Sequence, residues 1–286
     1  MKSKVYFTAD LTPEAMLRLY DALGVKLEGR VAVKVHSGEP GNQNFLRPDF
    51  MKPMIDKVGG TIVECNTAYD GGRNTTKAHK ITMERHGWIA AADVDILDEE
   101  EDLEFPIPNG KVIRKNYVGA HLTRYDSLLV LSHFKGHPMG GFGGALKNIS
   151  IGIASSRGKQ YIHGAGNMDK FWDAGHDAFL ESMADAASSI HDRFRGKSAY
   201  INVMKNMSVD CDCCAVAEDP KIGDIGILAS LDPVALDQAC LDLVYQSDDP
   251  GKADLIEHIE SRHGVHTVEA AADLGMGSRE YELVTL

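Results

Sequence analysis

No apolar run in the 286-residue chain approaches the roughly 18–20 residues that a membrane-crossing helix needs. Residues 1–10 (MKSKVYFTAD) carry two lysines, but no apolar stretch of signal-peptide type follows them, so a cytoplasmic location is expected. Basic residues are in deficit, 30 Lys+Arg against 42 Asp+Glu, which leaves a formal charge of −12. Nucleic acid and anionic membranes need clustered cations to displace counterions, so neither is an expected partner. A local basic pocket for a small anion is compatible with the same balance. Aromatic residues make up only 7%, yet 43% hydrophobic and 25% charged residues are ordinary globular values, which excludes disorder, coiled coil and collagen-like repeats. The five cysteines are odd in number, and three of them fall within positions 211–214. That spacing is a poor disulfide framework and suits a reducing compartment.

What is present is an alternation of strands and helices. Residues 4–10 read as a strand, and Thr12 with Pro13 opens a helix. Residues 30–36 alternate Val31, Val33 and Val35 with Ala32, Lys34 and His36, a second strand. A helix over 48–58 ending at Gly59-Gly60, a strand over 61–66 and a helix over 77–86 complete a βαβ-type spacing. Residues 94–97 and 111–114 are expected to be short strands around an acidic turn at 98–104. Residues 127–134 (SLLVLSHF) read as a strand buried on both faces. A helix over 177–190, strands over 199–204 and 225–229, a helix over 234–245 capped by Asp232, two short helices and a strand over 280–284 close the chain. The expected fold class is α/β around a mostly parallel or mixed sheet. The organisation is either a single domain over 1–286 or two α/β lobes with the Gly-rich loop 132–159 between them.

Three segments carry residues suited to chemistry. The first is the cluster DCDCC (210–214). If an extended backbone continued through it, Cys211 and Cys213 would share one face and Cys214 the other, with about 6–7 Å between the first two. Thiolates so placed suit zinc, an iron–sulfur cluster or copper(I), but the C-x-x-C spacing that would name the metal is absent. Inert buried thiols, or a redox thiol or nucleophile, remain alternatives. The second is SHFKGHPMGGFGGALKN (132–148), which follows the buried strand and therefore sits where open α/β sheets place their sites. It offers His133, Lys135 and His137 for acid–base work and Gly140, Gly141, Gly143, Gly144, Lys147 and Asn148 as a cradle for an anion. It matches neither a P-loop nor G-x-G-x-x-G, and the alternative is a flexible surface loop. The third is KVHSGEPGNQNFLR (34–47), in which Lys34 and His36 lie on one strand face. If strand order allows, these loops form one cleft holding Lys34, His36, His133, Lys135 and His137. His163, near Arg157 and Lys159, is a further metal-ligand candidate. Cys65 and Cys240 are expected in the core, and Asp237 is expected to be exposed.

Together with YDGGR (69–73) and DIGILASLDPVALDQA (224–239), these segments resemble the domain-of-unknown-function 362 family, some of whose members are called uncharacterised Fe–S centre proteins. Many relatives carry a ferredoxin-like insert with two C-x-x-C-x-x-C-x-x-x-C-P runs after the Ser-Arg-Gly-Lys segment. The corresponding stretch here, 160–187, has no cysteine, so the resemblance implies no ferredoxin-type pair of clusters. A metal would fall to Cys211, Cys213 and Cys214, with His163 or another histidine completing the shell. Three classes of function follow: a metal- or Fe–S-dependent enzyme acting on a small anion, a zinc-stapled binding protein, and a metal-free enzyme that uses the glycine loop as its anion site.

Overall fold

A strand that alternates two sets of apolar side chains can be buried on both faces, and residues 127–133 show this directly. Leu128 and Val130 enter one core while Leu129 and Leu131 enter another. The computed structural model describes residues 2–286. Its first part comprises β1 (Ser3–Thr8), α1 (Pro13–Ala22), β2 (Val31–Lys34), α2 (Pro48–Val58), β3 (Thr61–Glu64), α3 (Thr76–Arg85), α4 (Trp88–Ala91) and β4 (Val94–Ile96). A hairpin of β5 (Asp102–Pro106) and β6 (Lys115–Gly119) leads to β7 (Ser127–His133), followed by the short pair β8 (Lys135–His137) and β9 (Gly141–Gly143). Then come α5 (Ala145–Ile149), α6 (Ser156–His163), α7 (His176–Arg193), β10 (Ser198–Met204), β11 (Gly226–Ser230), α8 (Pro233–Gln246), α9 (Lys252–Ser261), α10 (His266–Asp273) and β12 (Tyr281–Thr285).

The main sheet has eight strands in the order β12-β1-β11-β10-β7-β2-β3-β4. Only β11 runs against the rest, pairing antiparallel with both β1 and β10. One face packs on α1 and α2 through Met16, Leu19, Met51 and Ile55. The other face packs on α5 and α7–α10 through residues such as Leu146, Ala187, Leu236 and Ile259. This is the expected α/β class, a mixed and mostly parallel sheet. Local signals act as read: Thr12 Oγ1 accepts the Ala15 N–H at 3.2 Å, Asp232 Oδ1 accepts the Val234 and Ala235 N–H groups at 2.9 and 3.0 Å, and Gly59 ends α2 at φ 58°.

The sheet has one internal reversal of winding. From β2 the chain steps outward to β3 and β4, then returns on the other side of β2 to lay down β7 and β10. The carboxyl ends of β2 and β7 therefore diverge and open a crevice between their following loops, the usual ligand position in an open α/β sheet.

Two expectations are corrected. Residues 111–114 do not form a strand, because the N–H groups of Lys111, Val112 and Ile113 all donate to the buried Asp185 carboxylate of α7, at 2.7, 2.7 and 2.9 Å. The acidic stretch at 98–104 does not end as a turn; its second half enters β5, which pairs with β6. Substituting Leu129→Ala, fully buried in β7, is expected to lower the unfolding free energy by about 2–5 kcal/mol, whereas Ile89→Ala, 44% exposed, changes it by less than about 1 kcal/mol. Urea titration of the two variants measures the difference.

Candidate metal and anion site

The crevice between β2 and β7 is a cavity of about 470 Å³. Lys34 and His36 enter from β2 and its loop, Glu64 and Cys65 from β3, and Ser132, His133, Lys135 and His137 from β7 and β8. The three polar segments thus meet in one place. The Gly-rich run is not a flexible surface loop: between residues 132 and 148 only Pro138 and Met139 reach solvent appreciably.

A buried ion network builds one wall. Lys34, wholly buried, donates to Glu64 Oε2 at 2.7 Å and also to the Val35 carbonyl. Glu64 Oε1 accepts the Ser37 N–H at 2.8 Å and has Arg73 Nη1 at 3.9 Å. Arg73 Nε in turn donates to Glu39 Oε2 at 2.8 Å, and Tyr69 hydroxyl lies 3.3 Å from both Glu39 Oε2 and the Cys213 carbonyl. Burial alone would raise the carboxyl of Glu64, but Lys34, His79 and Arg73 hold it down at about 2. Lys34 is therefore committed to Glu64 and is not a free anion ligand.

The cysteine segment folds as a turn. β10 ends at Met204, and the Cys214 N–H donates to the Cys211 carbonyl at 2.9 Å, so the extended backbone assumed for the sequence does not apply. The turn nevertheless brings Cys211 and Cys213 beside His137, with one ligand atom from each within 4.8 Å of the others. Cys214 and His163 stand outside this trio. Asp212, between the two cysteines, is buried and pinned: His133 Nδ1 lies 3.0 Å from each carboxylate oxygen, Lys135 Nζ is 3.6 Å from Oδ2, and the Asp212 carbonyl accepts the Glu39 N–H at 2.8 Å. Burial opposes its ionisation, and the neighbouring His133 and Lys135 prevail, holding it well below the usual carboxylate range. The second nitrogen of His133 faces the Lys205 carbonyl at 2.6 Å, so both of its nitrogens are occupied. The side chain proposed for acid–base work holds the cysteine turn instead.

The glycines serve packing more than anion contact. Gly143 and Gly144 line the cavity, while Gly141, at φ 75°, lies against the backbone of Ile259 and Gly264. The Ala145 and Leu146 N–H groups at the start of α5 donate to Asp237 Oδ1 and Oδ2 at 2.8 and 2.9 Å, and Asn202 Nδ2 donates to Oδ1 at 2.7 Å. Asp237 thus fills the place a phosphate would take, and a Cβ at Gly144 would collide with its carboxylate. Contrary to the expected exposure, Asp237 is fully buried, and burial outweighs these donors and lifts its carboxyl to about 6. Asn148 likewise spends its amide on the Leu131 carbonyl and Ser132 Oγ, at 3.3 and 3.1 Å.

What remains for a ligand is Lys147, Lys159, His36 and His163. Lys147 Nζ lies 3.7 Å from Cys211 Sγ, and Lys159 Nζ donates to the Ala154 carbonyl. Neither is ion-paired with a carboxylate among the described residues, and both are more than nine-tenths buried. His163 Nδ1 donates to the Lys159 carbonyl at 2.7 Å, which leaves Nε2 as a lone pair. Burial, reinforced by Lys147 and Lys159, lowers this imidazole to about 4 and keeps it neutral. His36 Nδ1 accepts the Gly38 N–H at 3.2 Å, and burial with the surrounding cations keeps this ring neutral too.

The fold and the cavity define an α/β protein with a cationic, thiol-bearing site at the sheet's point of reversal. More narrowly, the family described as Domain of unknown function (DUF362) matches residues 31–242, and the chain belongs to it. Among solved structures, the fold is similar to the lactate racemase apoprotein from Thermoanaerobacterium thermosaccharolyticum, with 16% identity over 69% of this chain and a TM-score of 0.42. It is also similar to a structural-genomics protein from Thermotoga maritima, with 11% identity over 91% of this chain and a TM-score of 0.45. The chain covers 50% of the first and 58% of the second, and both likenesses concern the fold alone. No curated protein matches the sequence.

The Glu64 shift sets an acid limb for stability. Its folded value, about 2, lies below the ordinary 4.5, so ionised Glu64 stabilises the fold above pH ~4.5, and that contribution drains away as pH falls toward 2. The difference corresponds to about 3 kcal/mol. Glu64→Gln is expected to be destabilised at pH 7 by a similar amount and to lose this slope, as read by urea unfolding at pH values from 2 to 7.

Proposed function

We propose that the protein is a metal-dependent enzyme acting on a small organic anion, with the ion held by His137, Cys211 and Cys213 and the anion by Lys147 and Lys159. The observation that carries this reading is the convergence on one cavity of His137, Cys213 and the two lysines without a carboxylate partner, with Cys211 Sγ buried just behind, 3.7 Å from Lys147 Nζ. Two ligands of a single ion with bonds of about 2.3 Å can stand at most ~4.6 Å apart, so a trio within 4.8 Å suits one mononuclear ion after slight closure. This favours zinc or a similar soft divalent ion over an iron–sulfur cluster. Burial pushes the Cys211 thiol up, and Lys135 and Lys147 offset that penalty once the proton leaves. His137 Nδ1 accepts the Gly140 N–H at 2.9 Å; ligation through Nδ1 would replace that hydrogen bond, and ligation through Nε2 would need the ring proton to pass to Nδ1, which breaks the same bond.

Three protein ligands leave a coordination position open to the cavity, the arrangement of catalytic rather than structural zinc. Such an ion, when bound, polarises a substrate oxygen as a Lewis acid. The chain's own residues supply the rest. Lys147 and Lys159 neutralise the substrate's carboxylate or phosphate. His163, neutral and lining the cavity, offers the lone pair of Nε2 as a hydrogen-bond acceptor. His36 presents its Nε2–H as a donor. The Lys34–Glu64–Arg73–Glu39 network holds these groups against one rigid wall, and Asp212 fixes the register of the two thiolates.

Anaerobically purified protein is expected to contain about one zinc or similar divalent ion per chain, lost in Cys211→Ser/Cys213→Ser; metal analysis and the thiolate-to-metal absorption of the cobalt-substituted protein report it. Iron with acid-labile sulfide would replace the mononuclear ion with a cluster, and metal-free protein with an unaltered cavity would remove the metal from this reading. The anion half is checked separately. Lys147→Ala/Lys159→Ala is expected to weaken inorganic phosphate binding at least tenfold in calorimetry, each lost charge-assisted contact contributing about 1.5–3 kcal/mol.

A further inference from the structure

Trp172 is not accounted for by the metal and anion contacts. It is 62% exposed, although indole is the largest apolar side chain in the protein. It lines the cavity on the segment joining α6 to α7, with Phe171 against it at 4.0 Å between ring centroids. Phe171 meets His163 edge-on at 5.4 Å, and Phe179 stacks on His163 at 4.9 Å. Pro138, Met139 and Ile151 extend the apolar surface of the same cavity.

Volume and chemistry together restrict what fits. At about 30 Å³ per liquid water, 470 Å³ is room for about fifteen waters. A bare phosphate or short carboxylate would leave most of that space as water against apolar walls, an unfavourable filling. A saturated chain would cover the walls, but it would not use the exposed indole face, whose quadrupole favours an offset-stacked or edge-on ring.

We infer that the ligand carries a flat unsaturated ring in addition to its carboxylate or phosphate. The ring seats on Trp172 and Phe171 while the anion meets Lys147 and Lys159. This rests on the anion reading of the cavity and adds the substrate class to it. Trp172 is then a specificity-determining residue, and His163 joins the two subsites, meeting Phe171 edge-on and hydrogen-bonding the carbonyl of Lys159.

The test uses matched probes on the full-length, metal-loaded protein: benzoate against cyclohexanecarboxylate, phenyl phosphate against cyclohexyl phosphate, and inorganic phosphate alone. Calorimetry gives affinities, and tryptophan fluorescence reports the ring. Trp88, the second tryptophan, is fully buried with its indole N–H on the Ser37 carbonyl at 3.1 Å, so a ligand-dependent change assigns to Trp172. The unsaturated member of a pair is expected to bind about three- to tenfold tighter than its saturated partner and to quench the emission. Trp172→Ala, at an exposed position that leaves folding intact, is expected to bind both members equally and inorganic phosphate as the parent does. Equal affinities within the pairs in the parent, or a preference that persists in Trp172→Ala, overturns the ring subsite and leaves the anion site standing. Failure of all five probes to bind overturns the anion reading and the ring subsite with it.

Discussion

Taking a lysine and a glutamate fully out of water is costly for each alone, and at the carboxyl ends of β2 and β3 the two groups meet that cost only together. Lys34 and Glu64 form the first link of a chain of buried charges that continues through Arg73 to Glu39 and, by way of Tyr69, to the carbonyl of Cys213. Breaking any one link leaves a neighbour charged, buried and unpaired, which is far worse than never having made the pair. The cavity wall is therefore specified as a unit, and the cysteine turn is attached to it through both Tyr69 and the Glu39–Asp212 backbone bond. Rigidity of this kind suits a site whose ligand atoms must be held to fractions of an ångström.

Much of the architecture was legible in the chain itself. The period-two valines of β2, the continuous apolar run of β7, the Thr12 and Asp232 caps and the Gly59 terminator each act through neighbours a few residues away, so local sequence suffices to read them. Local sequence is insufficient where a distant side chain intervenes. Asp185 takes the backbone donors of residues 111–113, and Asp237 takes those at the start of α5. Both are aspartates on helices, and nothing in their own segments distinguishes them from solvent-facing residues. The misreading of the glycine run has the same origin. A glycine-rich turn followed by a short helix does accommodate an anion there, but the anion is the protein's own carboxylate.

The cysteine cluster illustrates a different limit. Its density marks it in the sequence, but extended geometry does not describe how Cys211 and Cys213 pair, because the backbone there is a turn. His137 belongs to the second segment, and its place beside the two thiols depends on how β8 returns against β9 and on the fit of Gly136 against the backbone of Val209. Side chains that come from three separate loops converge because β2 and β7 are neighbours in the sheet although β3 to β6 lie between them in the chain.

The carboxylate of Asp237 also bears on the order of events during folding. It grips the helix that carries Lys147 across 92 residues of intervening chain. Closing so long a loop is an entropic burden that local turns do not share, and contacts of this separation form slowly. The contacts among β2, α2 and β3 lie within the first ninety residues, whereas the helix carrying Lys147 is held by α8 from far along the chain as well as by β7 and α7. The binding cavity therefore depends on the chain's last third as well as on the segments that line it, because α8 holds the start of the helix that carries Lys147.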